Sequence, residues 1–132
     1  MKKIFFVLTL LFICSLSVAQ TVGDNFDYIK QNKPGGEFNS HTSEISPYSY
    51  TVFPDDADAR ITYMLDSKLI CIQIVIAPLS NESRNTWIST FDSKWVRIDS
   101  RHWKYYIGDG TILRASLVYL EDIGELIFIG EE

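Results

Sequence analysis

The chain has 132 residues, of which 46% are hydrophobic and 22% charged, and its formal net charge is −5. This length fits a single domain. The acidic balance argues against binding to nucleic acid or to anionic membrane surfaces, because affinity for both comes from Lys and Arg.

The start of the chain has the pattern of a secretory signal peptide. Met1–Lys3 is basic, Ile4–Leu16 is an apolar run, and Ser17–Ala19 supplies the small residues that precede a signal-peptidase cleavage site. The run is too short to predict a membrane span, and no later run is longer. We therefore predict cleavage after Ala19, a single domain at residues 20–132, and a location in the periplasm or outside the cell. Loss of the two signal lysines changes the net charge to about −7.

The segment after the cleavage site predicts a short helix. Thr21 can cap its start, and Pro34 within Lys33–Gly36 ends it, because proline cannot continue a helix. Apolar side chains at helical spacing fall on one face: Val22, Phe26 and Ile29. Glu37–Ser46 is polar and has no period, so we predict a loop there.

Leu69–Ala77 predicts the central strand of a sheet. The segment is almost entirely apolar and rich in β-branched side chains, which favour a strand over a helix of this length. Ile61–Leu65 and the turn Asp66–Lys68 precede it, so an antiparallel hairpin is predicted. Tyr48–Val52 alternates and predicts a half-buried strand. The even-numbered isoleucines of the central strand are expected to face the core: Ile70, Ile72, Ile74 and Ile76.

Residue types that could bind metal or react have simpler interpretations. Asp55, Asp56 and Asp58 could hold a hard cation, but the glycine and the distal glutamate of an EF-type loop are missing. Turn chemistry accounts for these aspartates, and we predict no metal site. Cys71 is the single cysteine after signal cleavage, and its position in the apolar strand predicts a small buried hydrophobic residue.

The second half of the chain predicts one more helix and several strands. Ser80 or Asn81 caps the helix. Its buried side is predicted to contain Trp87, Ile88, Phe91 and Trp95. Trp95–Ile98 is either a short strand or the tail of this helix. Further strands, separated by turn residues, are predicted at Trp103–Ile107, Thr111–Leu120 and Glu125–Ile129.

Two segments share an order of elements. Ile61–Ile76 and Trp103–Tyr119 each contain a strand, a turn with Asp and a second strand, and each follows a short helix. This tandem helix–hairpin pattern predicts an α+β fold. The expected architecture is a two-layer sandwich, in which an antiparallel sheet packs its aliphatic face against two short helices.

Two short motifs and the order of elements resemble a known group. Thr21-Val22-Gly23 opens the first helix and Lys33-Pro34-Gly35 closes it, as in the beta-lactamase-inhibitor-like group of small bacterial envelope proteins. The chain also resembles small secreted proteins of gut-type bacteria. The resemblance to the first group implies protein–protein binding in the envelope. It identifies neither a partner nor a contact residue, and the lipid-accepting cysteine of the group's lipoprotein member is lacking.

We predict a non-enzymatic protein-binding module whose partner is an envelope protein. Tyr106 lies between two residues expected to face the core, so its side chain should point outward. Lys104 and Arg114 are expected beside it in an open apolar patch, which is typical of partner surfaces. Trp95 is the fourth candidate binding residue.

Two other functions remain open. Aromatic residues between Trp87 and Tyr106 would allow binding of a small ligand or carbohydrate. Asp99-Ser100-Arg101-His102 would allow a small hydrolase centred on His102. That activity requires a polar group from another element, such as His41 or Asp58, to converge on the imidazole. No cofactor is predicted for any of these functions.

Overall fold

The computed structural model describes residues 21–55 and 57–132. The elements in chain order are α1 (Phe26–Asn32), β1 (Glu37–Ser40), β2 (Tyr48–Val52), β3 (Ala59–Leu65), β4 (Cys71–Pro78), α2 (Asn81–Lys94), β5 (Val96–Asp99), β6 (His102–Tyr106), β7 (Ile112–Leu120) and β8 (Gly124–Glu131). The described chain is therefore α+β, as predicted, and it is mostly sheet. The predicted signal peptide lies outside the described residues. None of the helices in the described ranges has the length and apolar character needed to cross a membrane.

All eight strands join in one antiparallel sheet with the order β1-β2-β3-β4-β8-β7-β6-β5. Each half of the chain contributes four consecutive strands. The last strand of the chain does not lie at an edge, because β8 pairs with both β4 and β7. Strand β4 is therefore central, as its apolar sequence predicted, and the expected β3–β4 hairpin is confirmed.

One row of side chains crosses the sheet and forms the centre of the hydrophobic core. In register, this core row contains Tyr50, Tyr63, Ile74, Ile129, Ala115 and Trp103. All six side chains are buried. The ring of Phe26 in α1 lies 5.3 Å from that of Tyr50, and the ring of Phe91 in α2 lies 5.7 Å from that of Trp103. Both helices thus contact the side of the sheet that bears the core row, which we call the core face.

A β-bulge corrects the predicted faces of the central strand. Met64 pairs with Gln73 while Leu65 pairs with Cys71, so Ile72 has no partner in the register. The extra residue shifts the alternation of side chains by one position. Cys71 and Ile74 are buried on the core face, whereas Ile72 is only half-buried. The prediction that every even-numbered isoleucine faces the core is therefore wrong at Ile72 and, by the same shift, at Ile70, which is also only half-buried.

Helix α1 begins later than its sequence predicted. Asn25, not Thr21, is the N-cap, and its side chain accepts a hydrogen bond from the Tyr28 amide at 2.9 Å. The preceding backbone is engaged with β4 instead, because the Gly23 amide donates to the Cys71 carbonyl at 2.8 Å. This pairing prevents an earlier helix start. The helix ends at Asn32, and its C-cap Lys33 is the first residue of the predicted stop signal.

Helix α2 agrees with its sequence signals. Ser80 is the N-cap and accepts a hydrogen bond from the Ser83 amide at 3.0 Å. Trp87 and Phe91 are buried on its inner side. The helix ends at Lys94, so the segment that could have been its tail is a strand, β5.

The polar segment predicted to be a loop contains strand β1. All four β1 residues are exposed, so the segment lacks the alternation of buried and exposed side chains from which a strand is predicted. Its position depends on Tyr50, whose hydroxyl donates to the Lys33 carbonyl at 2.6 Å and accepts from the Gly36 amide at 2.9 Å. These bonds hold the end of the α1 turn against β2, and β1 follows directly.

Candidate functional site

The side of the sheet opposite the core face carries its own row of side chains. Across the strands, this row contains Glu37, Thr51, Thr62, Val75, Phe128, Ser116, His102 and Asp99. We call this side the outer face. Its row is polar at both edges and apolar in the middle. The middle residues Val75 and Phe128 are only half-buried.

Three of the four predicted binding residues share the outer face. Lys104 pairs with Arg114 across β6 and β7, and Tyr106 pairs with Ile112 two residues further along the same strands. The Tyr106 side chain is 58% exposed, which confirms that it points away from the core. The strand alternation thus places an aromatic ring and two cations next to each other.

The two cations of this patch are not equivalent. Like charges directly opposite each other in an antiparallel pair are destabilising. Glu132 relieves this repulsion, because its Oε1 lies 2.7 Å from the Lys104 Nζ. The Glu132 amide also donates to the Ile112 carbonyl at 2.9 Å, which keeps the end of the chain in place. Arg114 is exposed and therefore remains the available cation.

Trp95 does not belong to the outer face. Its side chain is 5% exposed. Its ring lies 5.0 Å from that of Phe91 and 5.2 Å from that of Tyr105. Trp95 is the C-cap residue of α2, and the sharp change from helix to strand turns its ring into the core. The candidate binding residue is therefore a packing residue.

His102 is paired with the carboxylate of Asp99. Its Nδ1 lies 2.8 and 2.9 Å from the two carboxylate oxygens of Asp99. The Arg101 amide donates to Asp99 at 2.8 Å. This backbone hydrogen bond and, after it, the contact with His102 hold the pKa of the Asp99 carboxyl below its ordinary value. Such a carboxylate can orient an imidazole.

The structure adds Ser116 to this pair, which sequence reasoning missed. Ser116 lies opposite His102 in the β6–β7 register, on the outer face. Opposite residues have Cβ atoms about 5 Å apart. The two residues are far apart in sequence, and only the pairing of the predicted strands could have brought them together.

The second polar group expected near His102 does not converge on it. His41 follows β1, so six strand spacings, or roughly 30 Å along the sheet, separate it from β6. The His41 Nε2 lies 2.6 Å from the Ser49 hydroxyl instead. Asp58 accepts a hydrogen bond from Ser80 at 2.7 Å. Neither residue completes a catalytic arrangement with His102.

Among the described residues, the possible metal ligands do not cluster, and the Cys71 thiol is buried. Within residues 21–55 and 57–132, no three His, Cys, Asp or Glu side chains form a group that could hold a metal ion. Asp56, one of the three aspartates considered from the sequence, lies outside the described residues. Burial raises the pKa of the Cys71 thiol to about 12, so the group stays protonated and unreactive. The prediction of a buried hydrophobic cysteine is confirmed.

The outer face also has a shallow groove at its other end. The groove has a volume of about 370 Å³ and runs over β1, β2 and β3. Its walls include His41, Phe53 and Arg60. It lies on the same face as Tyr106 but at the opposite edge of the sheet.

Comparisons with known proteins identify no relative of this chain. No protein-family model matches it, no curated protein matches it, and no solved structure matches it.

Proposed function

We propose that the protein is an exported, non-enzymatic module that binds another protein through the outer face of its sheet. Export is inferred from the basic start, the apolar run and the small residues at Ser17–Ala19. Its location would be the periplasm or the cell exterior, where an envelope protein is the expected partner. N-terminal sequencing of the secreted protein should then begin at Gln20.

The arrangement of the elements supports this proposal. We infer a two-layer α+β sandwich, with both helices on the core face and the outer face left for a partner. A helix followed by strands occurs twice along the chain, and the two halves meet where β4 pairs with β8. Side chains on both halves of the outer face would then act as one continuous surface.

The observation that carries the proposal is the exposed Tyr106 beside Lys104 and Arg114. Tyrosine and arginine are enriched among the residues that contribute most to protein–protein binding. Glu132 already pairs with Lys104, so Arg114 is the cation that a partner would engage. A partner surface with a carboxylate next to an apolar group has the matching chemistry.

The test is a comparison of three proteins as bait in an envelope extract. The wild type is compared with the double variant Tyr106→Ala/Arg114→Ala and with Tyr28→Ala. Tyr28 is a matched control, because it is a similarly exposed tyrosine on α1. We expect a discrete protein to be captured by the wild type and by Tyr28→Ala, and to be lost with the double variant. Equal capture by all three baits would contradict the use of the outer face.

A hydrolase is the second candidate, and a specific observation favours it. His102 is oriented by Asp99 at 2.8 Å, and Ser116 lies opposite His102 on the same face. These residues are the types found in a nucleophile–base–carboxylate arrangement. Labelling of the protein by a fluorophosphonate probe, lost in Ser116→Ala, would support this activity over the binding module.

The third alternative is ligand binding by the aromatic residues between Trp87 and Tyr106. Most of these side chains are not available to a ligand, because they are buried. Trp87, Trp95 and Trp103 are all buried. Tyr106 is the exposed member of the group that reaches the outer face. A ring platform for a sugar or other small ligand is therefore not built from this segment.

A further inference from the structure

The two edge strands of the sheet, β1 and β5, are not equally protected. An edge strand presents unpaired backbone N–H and C=O groups to which another chain can add, and proteins often block this addition with a bulge. Strand β5 has such a bulge between Arg97 and Asp99. In addition, the Arg97 guanidinium donates to the carbonyl oxygens of Asp99 and Ser100 at 3.1 and 3.4 Å. Strand β1, at the other edge, keeps an unbroken register over all four of its residues.

The register of β1 identifies the backbone groups that face the open edge. The His41 amide donates to the Pro47 carbonyl oxygen at 2.7 Å, and this bond continues the β1–β2 ladder. Hydrogen-bonded positions alternate along an antiparallel ladder, so every second residue of β1 bonds to β2 in the same way. The N–H and C=O groups of Phe38 and Ser40 therefore point away from β2. Among the described residues, no hydrogen bond crosses this edge to Phe38 or Ser40.

These backbone groups select an extended polypeptide over other kinds of ligand. Two donors and two acceptors stand along one line, and Phe38 is about 7 Å from Ser40 at the rise of a strand. A second strand repeats its own donors and acceptors at the same spacing, so its backbone can pair with all four groups. All four β1 residues are exposed, which leaves the edge open to such a strand.

The core-face side of β1 favours an apolar residue in the added strand. Phe38 pairs with the core residue Tyr50, so its side chain lies on this side. Its ring lies 4.9 Å from that of Phe26 and 5.5 Å from that of Tyr48, yet Phe38 is still 41% exposed. An apolar side chain placed beside Phe38 would extend this aromatic cluster and remove the remaining ring surface from water.

The outer-face side of β1 favours a basic residue in the added strand. Glu37 pairs with Thr51 and is exposed. The groove over β1, β2 and β3 contains two other titratable side chains. His41 is bonded to Ser49, and Arg60 lies on β3, two strand spacings or about 10 Å from β1. Opposite charges directly across a strand pair are stabilising, so a Lys or Arg opposite Glu37 is favoured.

The charge of the whole chain favours a foreign basic segment over a second copy of this protein. After loss of the predicted signal peptide each copy carries about −7, so two copies repel each other and a basic segment is attracted. We propose that β1 binds an extended segment of a partner protein in which apolar residues alternate with Lys or Arg. The segment adds to the sheet as a further strand, with its apolar side chains beside Phe38 and a basic side chain opposite Glu37. This site is at the other end of the sheet from Tyr106, so it does not depend on the proposed use of Tyr106 and Arg114.

The test is titration of the purified protein into fluorescently labelled peptides, followed by fluorescence anisotropy. The probe is the heptapeptide Lys-Val-Lys-Val-Lys-Val-Lys, and the comparison peptide has Glu in place of every Lys. We expect saturable binding of the Lys peptide and at least about tenfold weaker binding of the Glu peptide. Glu37→Gln should weaken binding of the Lys peptide about threefold, because the charge pair across the two strands is lost.

N-methylated peptides test the backbone hydrogen bonds with the wild-type protein. The valines of the bound strand lie opposite Phe38 and Ser40, so their N–H groups face β1, whereas the lysine N–H groups face away from it. Methylation of the valine nitrogens should weaken binding at least about tenfold, and methylation of the lysine nitrogens should change it less than about threefold. In the protein, Ser40→Pro removes one edge donor and Ser40→Ala keeps it. The proline variant should bind at least about threefold more weakly, and the alanine variant should bind like the wild type.

Several results would overturn the proposal. These are the absence of saturable binding of the Lys peptide, tighter binding of the Glu peptide, equal weakening by the two methylation patterns, and an affinity that Ser40→Pro leaves unchanged. Should Ser40→Pro fail to fold, the two methylated peptides give the same test without a variant. A wild type that sediments as a dimer, with Ser40→Pro as a monomer, would assign the edge to a second copy instead. The capture experiment with Tyr106→Ala/Arg114→Ala is independent of these outcomes.

Discussion

Truncation of two neighbouring isoleucines in β4 separates the observed bulge from simple strand alternation. Ile74 is 0% exposed and pairs with Tyr63 and Ile129 in the core row. Ile72 is half-buried and occupies the bulge. Strict alternation would place both side chains in the core, whereas the structure places only Ile74 there. The pair Ile74→Ala and Ile72→Ala therefore tests the fold with one type of substitution.

The expected effects differ several-fold. An Ile→Ala change at a fully packed position costs about 2–5 kcal/mol, since apolar contacts are lost and a cavity remains. We expect about 4 kcal/mol for Ile74→Ala, because both neighbouring strands hold its surroundings in place. For Ile72→Ala we expect about 1 kcal/mol, because part of its surface is already in water. At roughly 4 °C per kcal/mol, the midpoints of thermal unfolding should fall by about 16 °C and about 4 °C.

Urea unfolding followed by tryptophan fluorescence measures both losses. Trp87 and Trp103 are buried, so their emission reports loss of the core. Equal slopes of free energy against urea for the wild type and both variants would show that the difference lies in stability. Equal losses for Ile74→Ala and Ile72→Ala would refute the bulge and restore the simple alternation.

Two further predictions concern a helix cap and a buried thiol. Ser80→Ala should lower the unfolding free energy by about 1 kcal/mol, measured by urea unfolding, because the Ser83 amide loses its acceptor. The control is Ser89→Ala, at an exposed position of the same helix. A loss of similar size in the control would contradict the capping role of Ser80. Burial raises the pKa of Cys71 from 9.0 to about 12, so the unfolded thiol loses its proton first and the unfolding free energy falls as pH rises from about 9 to about 12. Between pH 8 and pH 10.5 the wild type should therefore lose up to about 2 kcal/mol of unfolding free energy relative to Cys71→Ala. A difference between the two proteins that stays constant with pH would be inconsistent with the raised pKa.

Part of the candidate site could be predicted from the sequence. The alternation of β6 placed Lys104 and Tyr106 on one side of the strand, and the observed register confirms it. The helical periodicity correctly predicted that Trp95 is buried, and its separate choice as a binding residue was wrong because its ring packs on Phe91 and Tyr105. Glu132 was missed because its partner Lys104 is distant in sequence. Both errors concern contacts between elements, not the elements themselves.

Several features of this protein follow from short stretches of sequence alone. A few neighbouring residues specify the hydrogen bonds and burial patterns on which these features depend. The features are the N-cap Ser80, the buried stripe of α2, the β3–β4 hairpin and the central position of β4. Three other features could be seen only in the tertiary structure. They are the insertion of β8 between β4 and β7, the bulge at Ile72 and strand β1. The place of β8 depends on pairing between distant segments, whereas the bulge and strand β1 depend on the register between consecutive strands. A register is selected by the contacts of the assembled sheet and not by the residues of one strand alone.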